Sequence, residues 1–258
     1  MFLDQIVQSV RGRVEVLKSR EGSLYEEAKQ SFGPPRSLSA AIRTHSLMPV
    51  GIIAECKQKS PSKGWLTDTY DPVTQAKGYE SRGAHGISVL TEPEFFAGDN
   101  RHLEEVKASV SVPVLRKDFI LDPLQIVESR VIGSDAVLII VRIVDDDVLL
   151  RELAETARDV HLEILVEIHS QTELDRAMAI KPDIIGVNNR DLESFETRLD
   201  FSLNMASFIP PEVVKVSESG IRSSADVEKI MNRGYTGILV GEHLMRGGNL
   251  LEVLQDDS

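Results

Sequence analysis

Eight short apolar runs lie along the chain, and each ends at its C-terminal side in a charged, amide, hydroxyl or glycine residue. They span 51–54 before Glu55 and Lys57, 87–90 before Thr91, 113–115 before Arg116 and Lys117, and 136–141 before Arg142. The other four span 164–166 before Glu167, 184–187 before Asn188, 213–216 before Ser217 and Glu218, and 238–240 before Gly241 and Glu242. Continuous apolar runs of this length read as strands covered on both faces, which is the habit of parallel sheets. Between them lie helical signals. Asp71-Pro72 opens a segment that reaches Arg82 and stops at Gly83, and Asp122-Pro123 opens one that stops at Gly133. Residues 145–160 carry Val148, Leu149, Leu153 and Ala157 at helical spacing, while Ser170 to Glu173 and Ser223 to Asp226 read as capping boxes. Strand and helix in alternation, with polar groups gathered at the strand C-termini, predict an α/β fold, a (β/α)8 barrel of the TIM type with its chemistry at that end.

The first 45 residues stand outside this repeat. Phe2, Ile6, Val10, Val14 and Leu17 form a helical stripe, a second helical stretch runs from Leu24 to Phe32, and Gly33-Pro34-Pro35 breaks it. The expectation is one domain over 1–258, with 1–45 as a helical extension. At 258 residues and 41% hydrophobic, the chain has the usual length for one such barrel. No apolar run approaches the ~20 residues a membrane helix needs, and the opening Met-Phe-Leu-Asp-Gln lacks a signal peptide's layout. The expected location is the cytoplasm, with no membrane partner. The single cysteine, Cys56, excludes an intrachain disulfide and any Cys-based metal site. With 41 acidic against 29 basic residues and a net charge of -12, nucleic acid is not an expected partner. An anionic substrate needs a locally basic pocket set against that field.

Strand parity sorts the first motif. Glu55 and Lys57 point to one face and Ala54 and Cys56 to the other, and polar residues do not belong under the helices. Glu55 and Lys57 therefore face the barrel mouth, where Lys59, Ser60 and Ser62 follow in a long loop. A plain ion pair at the rim is the alternative reading of the first two.

The stretch from Glu55 to Gly64, Glu-Cys-Lys-Gln-Lys-Ser-Pro-Ser-Lys-Gly, resembles the first-strand signature of the indole-3-glycerol phosphate synthase family. Further matches follow in order: Ile87 to Glu92 with Phe96 and Gly98, Pro113 to Pro123, Leu165 to His169, Ile185 to Leu192, Val216 to Ile221, and Leu239 to Glu242. The resemblance covers residues 50–250, and the N-terminal extension fits it too. It implies ring closure of 1-(2-carboxyphenylamino)-1-deoxyribulose 5-phosphate to indole-3-glycerol phosphate, with loss of carbon dioxide and water, in tryptophan biosynthesis. It calls for no cofactor and no metal. By resemblance Lys117 is the general acid, Lys57 the lysine of the substrate carboxylate and of proton transfer, and Glu167 the carboxylate of the dehydration half. Glu55 is the partner of Lys57, Asn188 and Ser219 position substrate hydroxyls and carboxylate, and Glu218 shares that rim.

Gly220 and Gly241, after the seventh and eighth runs, allow close backbone approach, and a short helix from Glu242 would turn its amides toward an anion. Ser60, Lys59 and Arg190 complete that phosphate cradle, while Phe96, Phe119 and Pro61 offer an apolar wall for the aromatic ring or else belong to the core. Cys56 stands where the family more often has an aliphatic residue, His243 where it has Ser or Ala, and Trp65 where it has an aliphatic residue. His243 is assigned no role. Two rivals are an enzyme like phosphoribosylanthranilate isomerase, which needs a Cys base and an Asp acid, and a catalytically silent subunit of a multienzyme assembly. Other tryptophan-pathway enzymes are the candidate protein partners. Turnover in excess EDTA is expected to match turnover without it; activity lost to the chelator and restored by a divalent cation would contradict that expectation.

Overall fold

The computed structural model describes residues 2–31, 33–44, 48–61, 63–67, 69–191 and 194–256. Eight parallel strands close into a barrel in which the first pairs with the eighth. They are Gly51–Cys56, Gly86–Leu90, Val114–Lys117, Ala136–Ile140, Glu163–Ile168, Ile184–Asn188, Val214–Glu218 and Gly237–Val240, numbered one to eight in chain order. Each coincides with one of the apolar runs. A small antiparallel hairpin pairs Lys59–Ser60 with Gly64–Trp65 in the loop after strand one. Among the described residues no helix is long and apolar enough to cross a membrane.

Local chemistry sets the helix boundaries. Asp71 caps Pro72–Ser81 by accepting from the amides of Val73 and Thr74, and Asp122 caps Pro123–Val131 from Leu124. Both helices end before a glycine in the left-handed region, Gly83 at φ 89° and Gly133 at φ 88°. Ser170 and Ser223 cap Gln171–Ala179 and Ser224–Met231. The answering carboxylates of Glu173 and Asp226 reach one residue further back than expected, to the amides of His169 and Arg222. The helix after strand four runs Asp147–Asp159, and its buried face is Leu150, Leu153, Ala154 and Ala157. Val148, expected on that face, is 61% exposed, and Leu149 is half-buried, because the stripe sits one residue further along the helix.

The N-terminal extension supplies three helices, α1 Phe2–Lys18, α2 Glu21–Gln30 and α3 Leu38–Arg43. Ile6, Val10 and Val14 enter the main core, while Leu17, Leu24 and Ala28 pack on Leu124 and Val127. Phe32, where α2 was expected to end, lies outside the described residues. Helix α3 had no signal in the periodicity, and it closes the floor of the barrel. Ser37 Oγ and the Ser39 amide both donate to Glu163, at 2.6 and 2.7 Å. Three strands begin with glycine at this floor: a Cβ on Gly51 or Gly237 would lie 2.8 Å from Ile42 Cγ2, and one on Gly86 2.6 Å from Leu38 Cδ1.

Buried polar residues on the helix side break the parity premise, among them Lys215 and Ser217 of strand seven and, with the most partners, Arg116. Arg116, in strand three, points outward under the helices and is 1% exposed. Its guanidinium donates to Thr91, Gln125 O, Ser129, Asn100, Asp118 and Glu128, so the desolvated charge is fully met. Asp118 in turn accepts from Arg13 of α1 at 2.9 Å, which ties the extension to the residue beside Lys117.

Gly51→Ala places its methyl 2.6 Å from Ile42 O, a backbone atom that moves only with α3. The expected cost is about 1–3 kcal/mol, the range for overpacking, read as a lower urea midpoint at unchanged m-value.

Candidate active site

The strand C-termini surround a cavity of about 610 Å³. Alternation along each strand turns Glu55, Lys117, Glu167, Asn188 and Glu218 into it; buried apolar neighbours back Glu55, Glu167 and Asn188 on the opposite face, and buried polar ones, Arg116 and Ser217, back Lys117 and Glu218. Glycines make room for two of the carboxylates. A Cβ on Gly186 would lie 2.1 Å from Glu218 Oε1, and one on Gly241 would lie 2.3 Å from Glu55 Oε1. These glycines, one within strand six and one just past strand eight, are the hollows in which the acids lie.

Lys117 stands at the centre. Its ammonium donates to Glu218 Oε2 at 2.8 Å and to Glu167 Oε2 at 3.2 Å. Burial pulls its pKa down, but Glu218, Glu167 and Glu55 outweigh that and leave it raised. The lysine is therefore an ammonium in this site, with a proton to give. Lys57 pairs with Glu55 beside it. Burial pushes Glu55 up, and the charges of Lys57 and Lys117 more than offset it, so Glu55 is held below the ordinary carboxylate range. Glu167 follows the same balance: burial raises it, and Lys117 and His169 bring it below its usual value. Glu218 goes the other way. Burial and the neighbouring Glu167 charge push it up to about 7 in spite of Lys117. Two carboxylates thus share one lysine with opposite preferences for the proton, the pattern that separates acid and base roles.

The other end of the cavity suits an anion. Ser219, with φ 66°, and Gly220, with φ 80°, make a left-handed turn after strand seven. For serine that conformation is strained, and Asn189 holds it by donating from Nδ2 to the carbonyls of Glu218 and Ser219, both at 3.0 Å. A Cβ on Gly220 would meet Thr197 Cγ2 at 2.6 Å. Gly241 leads into the single turn Glu242–Met245. Arg190, Lys63, Arg222 and Arg246 line this end, and Arg190 Nη2 donates to Glu242 Oε2 at 3.0 Å. Phe96 and Phe119, with ring centroids 5.9 Å apart, form an apolar wall near Lys117.

The sequence matches the family model described as indole-3-glycerol phosphate synthase over residues 3–256. This chain belongs to the indole-3-glycerol phosphate synthase family. The protein of that name from Carboxydothermus hydrogenoformans is 45% identical, over 98% of this chain and 99% of its own. The one from Geobacillus thermodenitrificans is 44% identical over 95% and 92%, and the one from Shouchella clausii 42% identical over 95% of each.

The family signature is therefore spread around one mouth. Of the residues singled out in the sequence, Lys57, Lys117, Glu55, Glu167, Asn188, Ser219, Glu218, Ser60, Pro61, Arg190, Gly220, Gly241, Glu242, Phe96 and Phe119 all line the cavity. Lys59 does not. Its ammonium donates to Glu94 O at 3.3 Å and lies over the ring of Trp65, because the hairpin twists it away, and Lys63 takes the place expected of it. Ser62 lies outside the described residues. Glu218, expected to matter less than Glu167, is the nearer of the two to Lys117. Glu242 turns a carboxylate toward Arg190, so only its backbone can serve an anion. His243, expected to be idle, lines the cavity beside Gly248. Cys56 is buried on the helix side, and burial raises its thiol pKa, as befits a core residue. Arg222 and Arg246 were missed. Each is an isolated arginine beyond a strand end, and only the return of its loop over the mouth gives it meaning.

The raised Glu218 makes a stability prediction. Between about pH 4.5 and 7 the folded chain holds a proton on Glu218 that the unfolded chain has released, so stability falls as pH rises through that window. Glu218→Gln removes the term. Its unfolding free energy relative to wild type is expected to rise by on the order of 3 kcal/mol from pH 4.5 to 7.5, measured by urea titration at each pH.

Proposed function

We propose that this chain closes the indole ring of indole-3-glycerol phosphate, starting from 1-(2-carboxyphenylamino)-1-deoxyribulose 5-phosphate. The observation that carries the reading is the Lys117 ammonium held between Glu167 and Glu218, with the Lys57–Glu55 pair beside it and an apolar wall above. The substrate's aromatic carbon attacks the sugar carbonyl, and Lys117 delivers a proton to the carbonyl oxygen as negative charge develops there. Lys57 exchanges Glu55 for the anthranilate carboxylate and holds it until carbon dioxide leaves and its bonding pair returns to the ring. Water is then lost. Glu167, ionised and hydrogen-bonded with Asn188, takes the proton from carbon while the hydroxyl departs with one supplied by the enzyme. Ser219 and Asn188 face the sugar hydroxyls.

The phosphate belongs at the basic end. The amides of the Ser219–Gly220 turn and of Gly241–Glu242 receive it, with Arg190, Lys63 and Ser60 around it. The full-length match to a carboxy-lyase family and the outward, buried Cys56 both speak against an isomerase that uses a cysteine base. We place the protein in the cytoplasm, as one domain with its N-terminal helices, and propose other tryptophan-pathway enzymes as partners for its acidic exterior.

Two substitutions test the roles. Lys117→Met is expected to lower kcat by roughly two or more orders of magnitude with little change in substrate affinity. Arg190→Ala is expected chiefly to raise KM, because it removes a cation and also leaves Glu242 facing the phosphate. Steady-state assays following the indole chromophore check both; near-normal kcat in Lys117→Met with lost binding would reverse the assignment.

A further inference from the structure

The two carboxylates beside Lys117 differ in what stands behind them. Glu218 Oε1 has no hydrogen-bond partner among the described residues, in its pocket against Gly186. Glu167 Oε1 instead lies 3.3 Å from Nε2 of His169, whose side chain is 4% exposed. His169 does not line the large cavity. It forms part of the wall of a smaller one on the far side, next to Asn188. Its Nδ1 lies 3.6 Å from Glu173 Oε2, and that oxygen also accepts the His169 amide at 2.6 Å. Glu173 Oε1 accepts from Arg142 Nε at 3.2 Å, and Arg142 reaches Asp191 at 3.7 Å. The charged groups around the imidazole are therefore Glu167 from its own strand, Glu173 from the following helix, and Arg142 and Asp191 behind Glu173. Glu196 and Arg198 stand across the small cavity.

We propose that His169 is a positioning residue that selects Glu167, and not Glu218, as the carboxylate that works as the base beside Lys117. One lysine charge cannot serve two buried carboxylates equally, and the second neighbour decides between them. Glu173 holds the His169 backbone through its amide, with Nδ1 3.6 Å from the same carboxylate and short of a hydrogen bond, and the ring turns Nε2 toward Glu167. Nε2 stands 3.3 Å from Oε1, while Oε2 is turned to Lys117. Glu218, lacking such a neighbour, keeps the proton. The inference rests on the base role proposed above for Glu167.

The test is the kcat–pH profile of His169→Gln, which keeps a donor but cannot carry charge, and of His169→Leu, which loses both. A base must be ionised, so kcat falls on the acid side as Glu167 gains a proton. His169 is one of the neighbours that lower the Glu167 pKa, so its loss moves that limb to higher pH. The expected result is that shift in both variants, with kcat lowered about tenfold or more and KM changed by less than about threefold. His169→Gln should keep more of kcat than His169→Leu. A folded variant with a wild-type acid limb overturns the inference, and if His169→Leu does not fold, His169→Gln decides alone. Glu167→Gln separates the two levels. Near-normal kcat there overturns the role of Glu167 and this inference with it, whereas lost kcat there with an unmoved limb in His169→Gln overturns this inference alone.

Discussion

A single buried ammonium shared by two buried carboxylates is the constraint around which the rest of this molecule is arranged. Removing three charged groups from water is costly unless each meets an opposite charge at close range. Lys117 meets Glu218 at 2.8 Å and Glu167 at 3.2 Å, and the bare backbone of Gly186 gives Glu218 the space to lie there. The cluster holds more acid than base, so one proton stays within it. That surplus is the feedstock of acid–base chemistry, and it exists because the barrel interior lets charges of different strands approach without solvent between them.

Fixing such a cluster requires support from outside the barrel wall. Arg116 and Asp118, the neighbours of Lys117, both point away from the mouth, and both are pinned, Arg116 by six partners and Asp118 by Arg13, Thr91 and Arg116. Helix α1 thus holds strand three from behind, and α3 seals the floor against three glycines. The extension is in this sense part of the site's scaffold: its apolar stripe stabilises the barrel, and one of its arginines reaches the shell next to the acid.

Much of this was legible in the sequence. Buried parallel strands write themselves as apolar runs, and a polar residue at the end of such a run has nowhere to go except the mouth, so Glu55, Lys117, Glu167, Asn188 and Glu218 were readable together. Loops carry no such period. Lys59 and Lys63 look interchangeable in a string, and the two-residue hairpin that turns one away and the other inward is decided by tertiary contact. Helix α3 is too short for periodicity to register, and its role is written instead in glycines at the starts of strands one, two and eight. Arg116 escaped the rule that polar groups avoid the helix side because its six acceptors come from elements scattered between Thr91 and Ser129, a set that no local pattern reveals. His169 hid within a motif, since its meaning depends on Glu173 four residues later turning back to it.

The distribution of charge between the two halves of the barrel has its own consequence. Strands one to four supply both lysines of the centre, Lys57 and Lys117, with only Glu55 among the acids, while strands five to eight supply Glu167 and Glu218 and no lysine in the cavity centre. Cut between strands four and five, the chain would yield one fragment with a stranded cation and another with two acids pressed together. Each is electrostatically incomplete, and each is what the other lacks. Joined in one barrel, they set the Lys117 ammonium of the first half against Glu167 and Glu218 of the second, and the acid left in surplus is the one that keeps a proton.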